Sequence, residues 1–194
     1  SRHHGKSILI TGGAGSIGSE IVRQVSQFNP ELIVILDQAE TPLYEIENEM
    51  REKYPHINFK FVLGDISNRH RIEPLFQKYQ FSMVYHAAAY KHVPLIEENP
   101  HEAILVNILG SKNISTLASK YKVNRFVMIS TDKAVKPTNV MGASKRAAEL
   151  FVQSLQNSEG NITKFITTRF GNVLGSNGSV ILHFKRQIEN GGPI

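Results

Sequence analysis

Thr11-Gly12-Gly13-Ala14-Gly15-Ser16-Ile17-Gly18 is the stretch on which the reading of this chain turns. It follows the apolar run Ser7 to Ile10 and precedes a segment with Ile17, Ile21, Val22 and Val25 on one helical face. A tight turn from strand to helix requires a positive φ. Bare backbone at that turn lets a diphosphate approach the free N–H groups and the positive dipole end of the helix. Gly12, Gly15 and Gly18 carry the spacing, and Ser16 and Ile17 lie between them. The same glycines also serve as a plain turn in other α/β proteins. An acidic residue separates the two readings. Leu32 to Leu36 is a second apolar, largely β-branched run, and Asp37 closes it 19 residues beyond Gly18. A separation of about 20 is expected for the carboxylate that binds the ribose of a dinucleotide. Such a carboxylate repels a 2′-phosphate, and Gln38 and Ala39 offer no arginine to receive one, so NAD is favoured over NADP.

Outward from the turn, strand and helix patterns alternate. Strands are expected at Phe59 to Leu63, Met83 to His86, Arg125 to Ile129 and Ile162 to Arg169. Helices are expected at Pro42 to Tyr54, Arg69 to Tyr79, Pro100 to Tyr121, Val140 to Gln156 and Val180 to Glu189. Alternation of this kind specifies an α/β fold with a doubly wound parallel sheet. No linker or repeat divides the chain, so residues 1–194 are expected to form one nucleotide-binding domain, with part of the substrate site in 169–194. Gly191 to Ile194 reads as a turn leading onward, and more chain is expected after it.

Composition bounds the function. The chain has 194 residues, no cysteine, a formal charge of +5 and 8 histidines. Its lysines and arginines are scattered, without a basic helix or an aromatic-interleaved strip, so anionic small molecules are better partners than nucleic acid. No run approaches the roughly 18 apolar residues of a membrane span. His86, His92, His101 and His183 lack metal-ligand spacing with carboxylates, and no metal is expected. Asp65, in Leu63-Gly-Asp-Ile66, has two readings: a helix cap, or a hydrogen bond to an adenine beside Ile66.

At the level of longer segments the chain resembles a known family. Thr11 to Gly18 is similar to the opening of extended short-chain dehydrogenases, whose fold is of the Rossmann type. His86-Ala87-Ala88-Ala89 looks like their cofactor-lining turn, and Asn107 stands where they keep a helical asparagine. Ser130-Thr-Asp-Lys-Ala-Val-Lys-Pro-Thr-Asn-Val-Met-Gly-Ala-Ser-Lys145 resembles the active-site segment of bacterial nucleotide-sugar 4,6-dehydratases of polysaccharide and glycan biosynthesis. Arg169-Phe-Gly-Asn-Val-Leu-Gly-Ser-Asn-Gly-Ser179 resembles their substrate-binding segment. The closest likeness is to UDP-N-acetylglucosamine 4,6-dehydratases. That resemblance implies a nicotinamide cofactor that takes a hydride from sugar C4, loss of water across C5 and C6, and return of the hydride to C6. It also implies a UDP-sugar substrate and a homo-oligomer. A cytoplasmic location follows too, with a membrane involved only through a further N-terminal region of a longer parent.

The residues suit that chemistry. Elimination needs a base for the C5 proton and an acid for the C6 hydroxyl. Asp132 and Lys133 stand together at the expected end of the fifth strand, and Thr131 offers a hydroxyl to the C4 oxygen. Asp132–Lys133 also reads as a surface ion pair. By resemblance, Lys145 anchors the nicotinamide ribose, Lys91 lies near cofactor and substrate, and Asn172 with Ser176, Asn177, Gly178 and Ser179 meets the nucleotide sugar. Met141 departs from the usual pattern, which has a tyrosine there to accept the C4 hydroxyl proton. Methionine transfers no proton, so the path runs through Asp132, Thr131 or water. The methionine-bearing branch of the dehydratases shares this departure. Two other readings stay open: a UDP-sugar 4-epimerase or reductase, and a nucleotide-binding module without turnover.

Overall fold

The computed structural model describes residues 6–89 and 97–171; the expected helix at Val180 to Glu189 lies outside them. Strand β1 (Ser7–Thr11) divides its side chains between two cores. Ile8 and Ile10 enter one and Leu9 the other. In β2 (Leu32–Asp37), Ile33 and Ile35 join the first core, and Leu32, Val34 and Leu36 the second. Burial on both faces is why these strands read as unbroken apolar runs. Helices α1 (Ser16–Ser26) and α2 (Glu40–Lys53) cover the first face through Val22, Val25, Leu43, Ile46 and Met50. The second face is covered by α3 (Arg69–Tyr79), by α4 (residues 100–120) and by α5 (Val140–Gln156). Each buried aliphatic side chain contributes about 1.5–3 kcal/mol relative to exposure.

Helix α4 has three parts: an α turn Pro100–Ala103, a π segment Ile104–Gly110, and an α segment Ser111–Lys120. Its sequence reads as one helix, and apolar periodicity does not reveal the π segment. Packing shows what the segment accommodates: a Cβ on Gly110 would stand 2.5 Å from Cδ1 of Ile66, so the helix lies close over the loop after β3.

Strands β3 (Asn58–Leu63), β4 (Met83–His86), β5 (Arg125–Thr131) and β6 (Lys164–Phe170) complete a six-stranded sheet ordered β3-β2-β1-β4-β5-β6. Every pairing is parallel, as expected of a doubly wound fold. The order reverses between β1 and β4, and the carboxyl ends there open the crevice in which such sheets hold ligands.

Three boundaries differ from the sequence reading by two residues. β5 runs past Ile129 to Thr131 because β6 continues beside it, pairing Ser130 with Arg169 and Thr131 with Phe170. β6 starts at Lys164 rather than Ile162, since the Asn161 side chain bonds Thr163 at both N and O and holds a turn there. α2 begins at Glu40, two residues before Pro42, because a helix's first turn tolerates proline. Among the described residues no helix is long and apolar enough to cross a membrane, and no group of three or more His, Asp or Glu side chains is placed to hold a metal ion.

Candidate functional site

The crevice at the β1–β4 reversal encloses about 260 Å³. Gly12, Gly15, Ser16, Asp37, Ile66, Ala87 and Ala88, all expected from sequence to face a cofactor, line it. Ala14, Leu36, Ala39, Pro42, Gly64, Ala89 and Val106 line it too. The turn needs left-handed backbone at one glycine only: Gly12 has φ +66°, and a Cβ there would lie 2.5 Å from the Ala88 nitrogen. Gly18 serves the packing of α1 on the turn. A Cβ there would fall 1.9 Å from the Gly12 carbonyl oxygen, so α1 could not seat against the turn. Gly18 and Ile17 do not line the crevice.

Asp37 is engaged by backbone. Its Oδ2 accepts from the Ala14 N–H at 3.0 Å and its Oδ1 from the Ala39 N–H at 3.0 Å. The carboxylate therefore ties the glycine turn to the end of β2 while remaining at the crevice wall. Asp65 does not cap α3: its Oδ1 accepts from the Ser67 N–H at 2.7 Å, and the cap of that helix is Asn68. The physical reason is register, because α3 begins three residues later than a cap at Asp65 would require. Gly64 and Ile66 reach the crevice on either side of it.

Beneath the turn lies a fully buried polar chain. Thr11 Oγ1 and His86 Nδ1 are 2.7 Å apart, and His86 Nε2 and Ser111 Oγ 2.8 Å. It joins the ends of β1 and β4 to α4. Burial, reinforced by the nearby Lys145 charge, pushes the His86 pKa down to about 3, so the ring is neutral. The ring packs at the end of β4.

The second half of the site stands at the end of β5. Thr131, Asp132 and Lys133 form a compact group on the 3₁₀ turn Asp132–Ala134. The Thr131 hydroxyl donates to Asp132 Oδ1 at 3.1 Å and accepts from the Lys133 N–H at 3.3 Å. Lys133 Nζ lies 3.5 Å from Asp132 Oδ1, so the ion pair does form. The Thr131 bond chiefly, and Lys133 in addition, hold the Asp132 carboxyl below its ordinary pKa. α5 lies against this group. A Cβ on Gly142 would stand 2.5 Å from the Lys133 carbonyl oxygen, so glycine permits the close approach. Asn139 caps the helix by accepting from the Gly142 N–H at 2.8 Å, and Glu97 accepts from the Val140 N–H at 2.5 Å.

Met141 and Lys145 are buried one turn apart on α5. Lys145 Nζ donates to the Ile129 carbonyl at 3.2 Å. Burial lowers the Lys145 pKa to about 8, and Glu149 pulls it the other way. Asn107, carried by the π segment, donates to Ser144 Oγ at 3.0 Å, and Ser144 donates to the Met141 carbonyl at 2.8 Å. Asn107 and Lys145 thus sit on α5 and its neighbour, not on the crevice wall. Lys91, Asn172, Ser176, Asn177, Gly178 and Ser179 lie outside the described residues.

Sequence reasoning missed Glu149. Its carboxylate is 0% exposed and receives both nitrogens of the Arg169 fork, Nε at 3.0 Å and Nη2 at 2.7 Å, together with Arg146 Nη1 at 3.0 Å. Burial alone would raise its pKa; these bonds outweigh it and hold Glu149 at about 2. An acidic residue inside the apolar run Ala147 to Val152, four positions after Lys145, was the available sign.

Comparison with known proteins agrees with this architecture. A family model described as polysaccharide biosynthesis protein matches residues 8–194. The capsular polysaccharide biosynthesis protein CapD of Staphylococcus aureus is 55% identical over 97% of this chain, which spans 32% of that relative. A UDP-N-acetylglucosamine 4,6-dehydratase (inverting) of Campylobacter jejuni is 36% identical over 97% of this chain and is spanned to 55%. Among solved structures, Pen from Bacillus thuringiensis superposes with a TM-score of 0.88 at 37% identity, covering 97% of this chain and 57% of its own. The UDP-glucose 4-epimerase of Thermus thermophilus, in complex with NAD, gives 0.77 at 27% identity, covering 97% and 64%. The chain spans less than two thirds of each of these relatives. With a match over nearly its whole length, and with the glycine turn, sheet order and Thr131–Lys133 segment in place, the chain belongs to the polysaccharide biosynthesis protein family of extended short-chain dehydrogenases.

Proposed function

We propose that this chain is the nucleotide-binding half of an NAD-dependent UDP-N-acetylglucosamine 4,6-dehydratase. The observation that carries the reading is the Thr131–Asp132–Lys133 group at the end of β5, an acid, a base and a hydroxyl within one 3₁₀ turn. Epimerisation at C4 needs no acid at C6; elimination does. The likeness to the Campylobacter dehydratase supports the same choice.

The crevice suits a dinucleotide. Gly12 leaves backbone bare where a Cβ would fill the turn, and Asp37 is already fixed beside it to meet a ribose. NAD is the form favoured by that carboxylate, and the Thermus relative is a complex with NAD. When bound, the nicotinamide supplies the hydride acceptor for C4 and the donor for C6. Lys145 would hold the nicotinamide ribose.

The protein's own groups then account for every proton. Thr131 meets the C4 hydroxyl and passes its proton along the bond it already makes to Asp132. A lowered pKa suits Asp132 to start as a carboxylate, and the hydrogen bond gives a route that Met141 lacks. Asp132, now protonated, gives that proton to the departing C6 oxygen, which leaves as water. Lys133 removes the C5 proton and returns it to C5. The net change is loss of one water from the sugar. Lys91, Asn172, Ser176, Asn177, Gly178 and Ser179 complete this proposal as substrate contacts.

The likeness to the Thermus epimerase favours a second reading, a UDP-sugar 4-epimerase. Incubating the full-length protein with UDP-N-acetylglucosamine and weighing the product separates them. Loss of one water is expected. An isomer of unchanged mass would identify an epimerase, and unaltered substrate would leave a binding module without turnover.

A further inference from the structure

We propose that Glu149 is a positioning residue: it fixes α5 against the end of β6 and thereby sets the gap between Asp132 and Gly171. The inference rests on the dehydratase reading for its kinetic consequence and on geometry for the rest.

Three contacts descend one face of α5. Gly142 receives the Lys133 carbonyl, Lys145 reaches the Ile129 carbonyl, and Glu149 takes the Arg169 fork. The first two tie the helix to β5 and its turn. The third alone of these ties it to β6. Arg169 pairs with Ser130 across the sheet and Phe170 with Thr131, so the clamp sits just below the Thr131–Lys133 group. One residue further, a Cβ on Gly171 would stand 3.6 Å from Asp132 Oδ2. The chain that enters the proposed substrate segment at Asn172 thus leaves directly beside the proposed acid.

Stability does not explain this arrangement. A buried carboxylate loses its hydration, and the attraction of its partners largely goes to offset that loss; apolar residues of similar volume often do as well. Arg169 and Arg146 are 36% and 37% exposed, so they would find water without Glu149. What a two-pronged arginine–carboxylate pair supplies beyond charge is a fixed distance and plane.

The test uses full-length protein with Glu149→Gln and Glu149→Asp. Gln keeps the shape and removes the charge; Asp keeps the charge and shortens the reach. In Glu149→Gln, kcat with UDP-N-acetylglucosamine should fall at least about tenfold, the scale of a misplaced reacting group, while NAD affinity stays at the parental value. Glu149→Asp should recover part of the rate. Amide hydrogen exchange should quicken in peptides covering 129–133 and 166–171 and stay unchanged in those covering 7–37. Parental kcat with unchanged local exchange would overturn the proposal. So would exchange that rises evenly across the sheet with NAD affinity falling in step, which marks a merely structural residue. Should the parent leave the sugar nucleotide unaltered, the dehydratase reading fails, and the exchange and NAD measurements decide the role of Glu149 by themselves. Should Glu149→Gln fail to fold, Arg169→Lys, which keeps the charge and loses the fork, replaces it under the same criteria.

Discussion

The two halves of the site are built by opposite means. The crevice between β1 and β4 is shaped by missing side chains: Gly12, Gly15 and Gly64, with the alanines 14, 87 and 88, leave backbone to form its wall. Among the described residues its one charged wall residue, Asp37, is held by two backbone N–H groups. The end of β5 is shaped by side chains holding side chains: Thr131 on Asp132, Lys133 on Asp132, Asn107 on Ser144, Arg169 on Glu149. A wall of backbone keeps its form when a neighbour changes. A lattice of side chains can be retuned one residue at a time, and that is where Met141 replaces the expected tyrosine.

The largest effect that would break this contrast comes from Gly18→Ala. The added Cβ would meet the Gly12 carbonyl oxygen 1.9 Å away, against backbone that cannot give way cheaply. We expect a loss of roughly 3 kcal/mol or more in stability, at the upper end of overpacking costs, with NAD binding abolished. Thermal unfolding and calorimetric titration check it. A variant that binds NAD like the parent would show that the wall is more compliant than its geometry states.

Lys133→Ala should do the reverse, leaving the crevice intact and the chemistry gone. Dehydration of UDP-N-acetylglucosamine should fall by about 10²–10⁴-fold, the usual contribution of a general base, with NAD affinity unchanged. Should this variant turn over at the parental rate, Lys133 is not the base.

His86 belongs to neither half and joins both, and its titration sharpens the comparison. Its folded pKa lies at about 3, below its ordinary 6.5. The unfolded chain therefore binds more protons beneath pH 6.5. The stability due to the neutral ring is complete above 6.5 and is lost as pH falls towards 3, by about 1.4 kcal/mol per pH unit. Denaturant unfolding at steps between pH 7 and 5 should show that slope, above the range in which Glu49 and Glu149 take up protons. In His86→Gln the slope from this site should vanish. A parental slope in that variant would assign the acid sensitivity elsewhere.

How much of this was legible in the sequence follows the same division. α3, β4 and α5 have the bounds that periodicity and punctuation specify, and the sheet order obeys the rules for alternating strands and helices. The left-handed backbone of Gly12 and the place of Asp37 on the crevice wall were legible because both answer local demands, met within about 25 residues of chain. The Arg169–Glu149 clamp joins positions 20 apart and the Asn107–Ser144 bond positions 37 apart. Such pairs depend on how two elements pack, and a single sequence records no partner. The crowding of Gly18 against the Gly12 carbonyl was not legible, because glycine spacing does not say which atom crowds which.

The π segment of α4 has a consequence for how this chain can vary in length. Such a segment holds one more residue per turn than the α helix on either side of it. It places Asn107 on Ser144 and lays Gly110 over Ile66 within the same short span. Deleting one residue between Ile104 and Gly110 would let the helix rewind as ordinary α without breaking it, and would rotate one of those two contacts out of reach. The helix would survive such a deletion and the site would not. For this protein, then, the number of residues from Pro100 to Ser111 is as binding a specification as their identity.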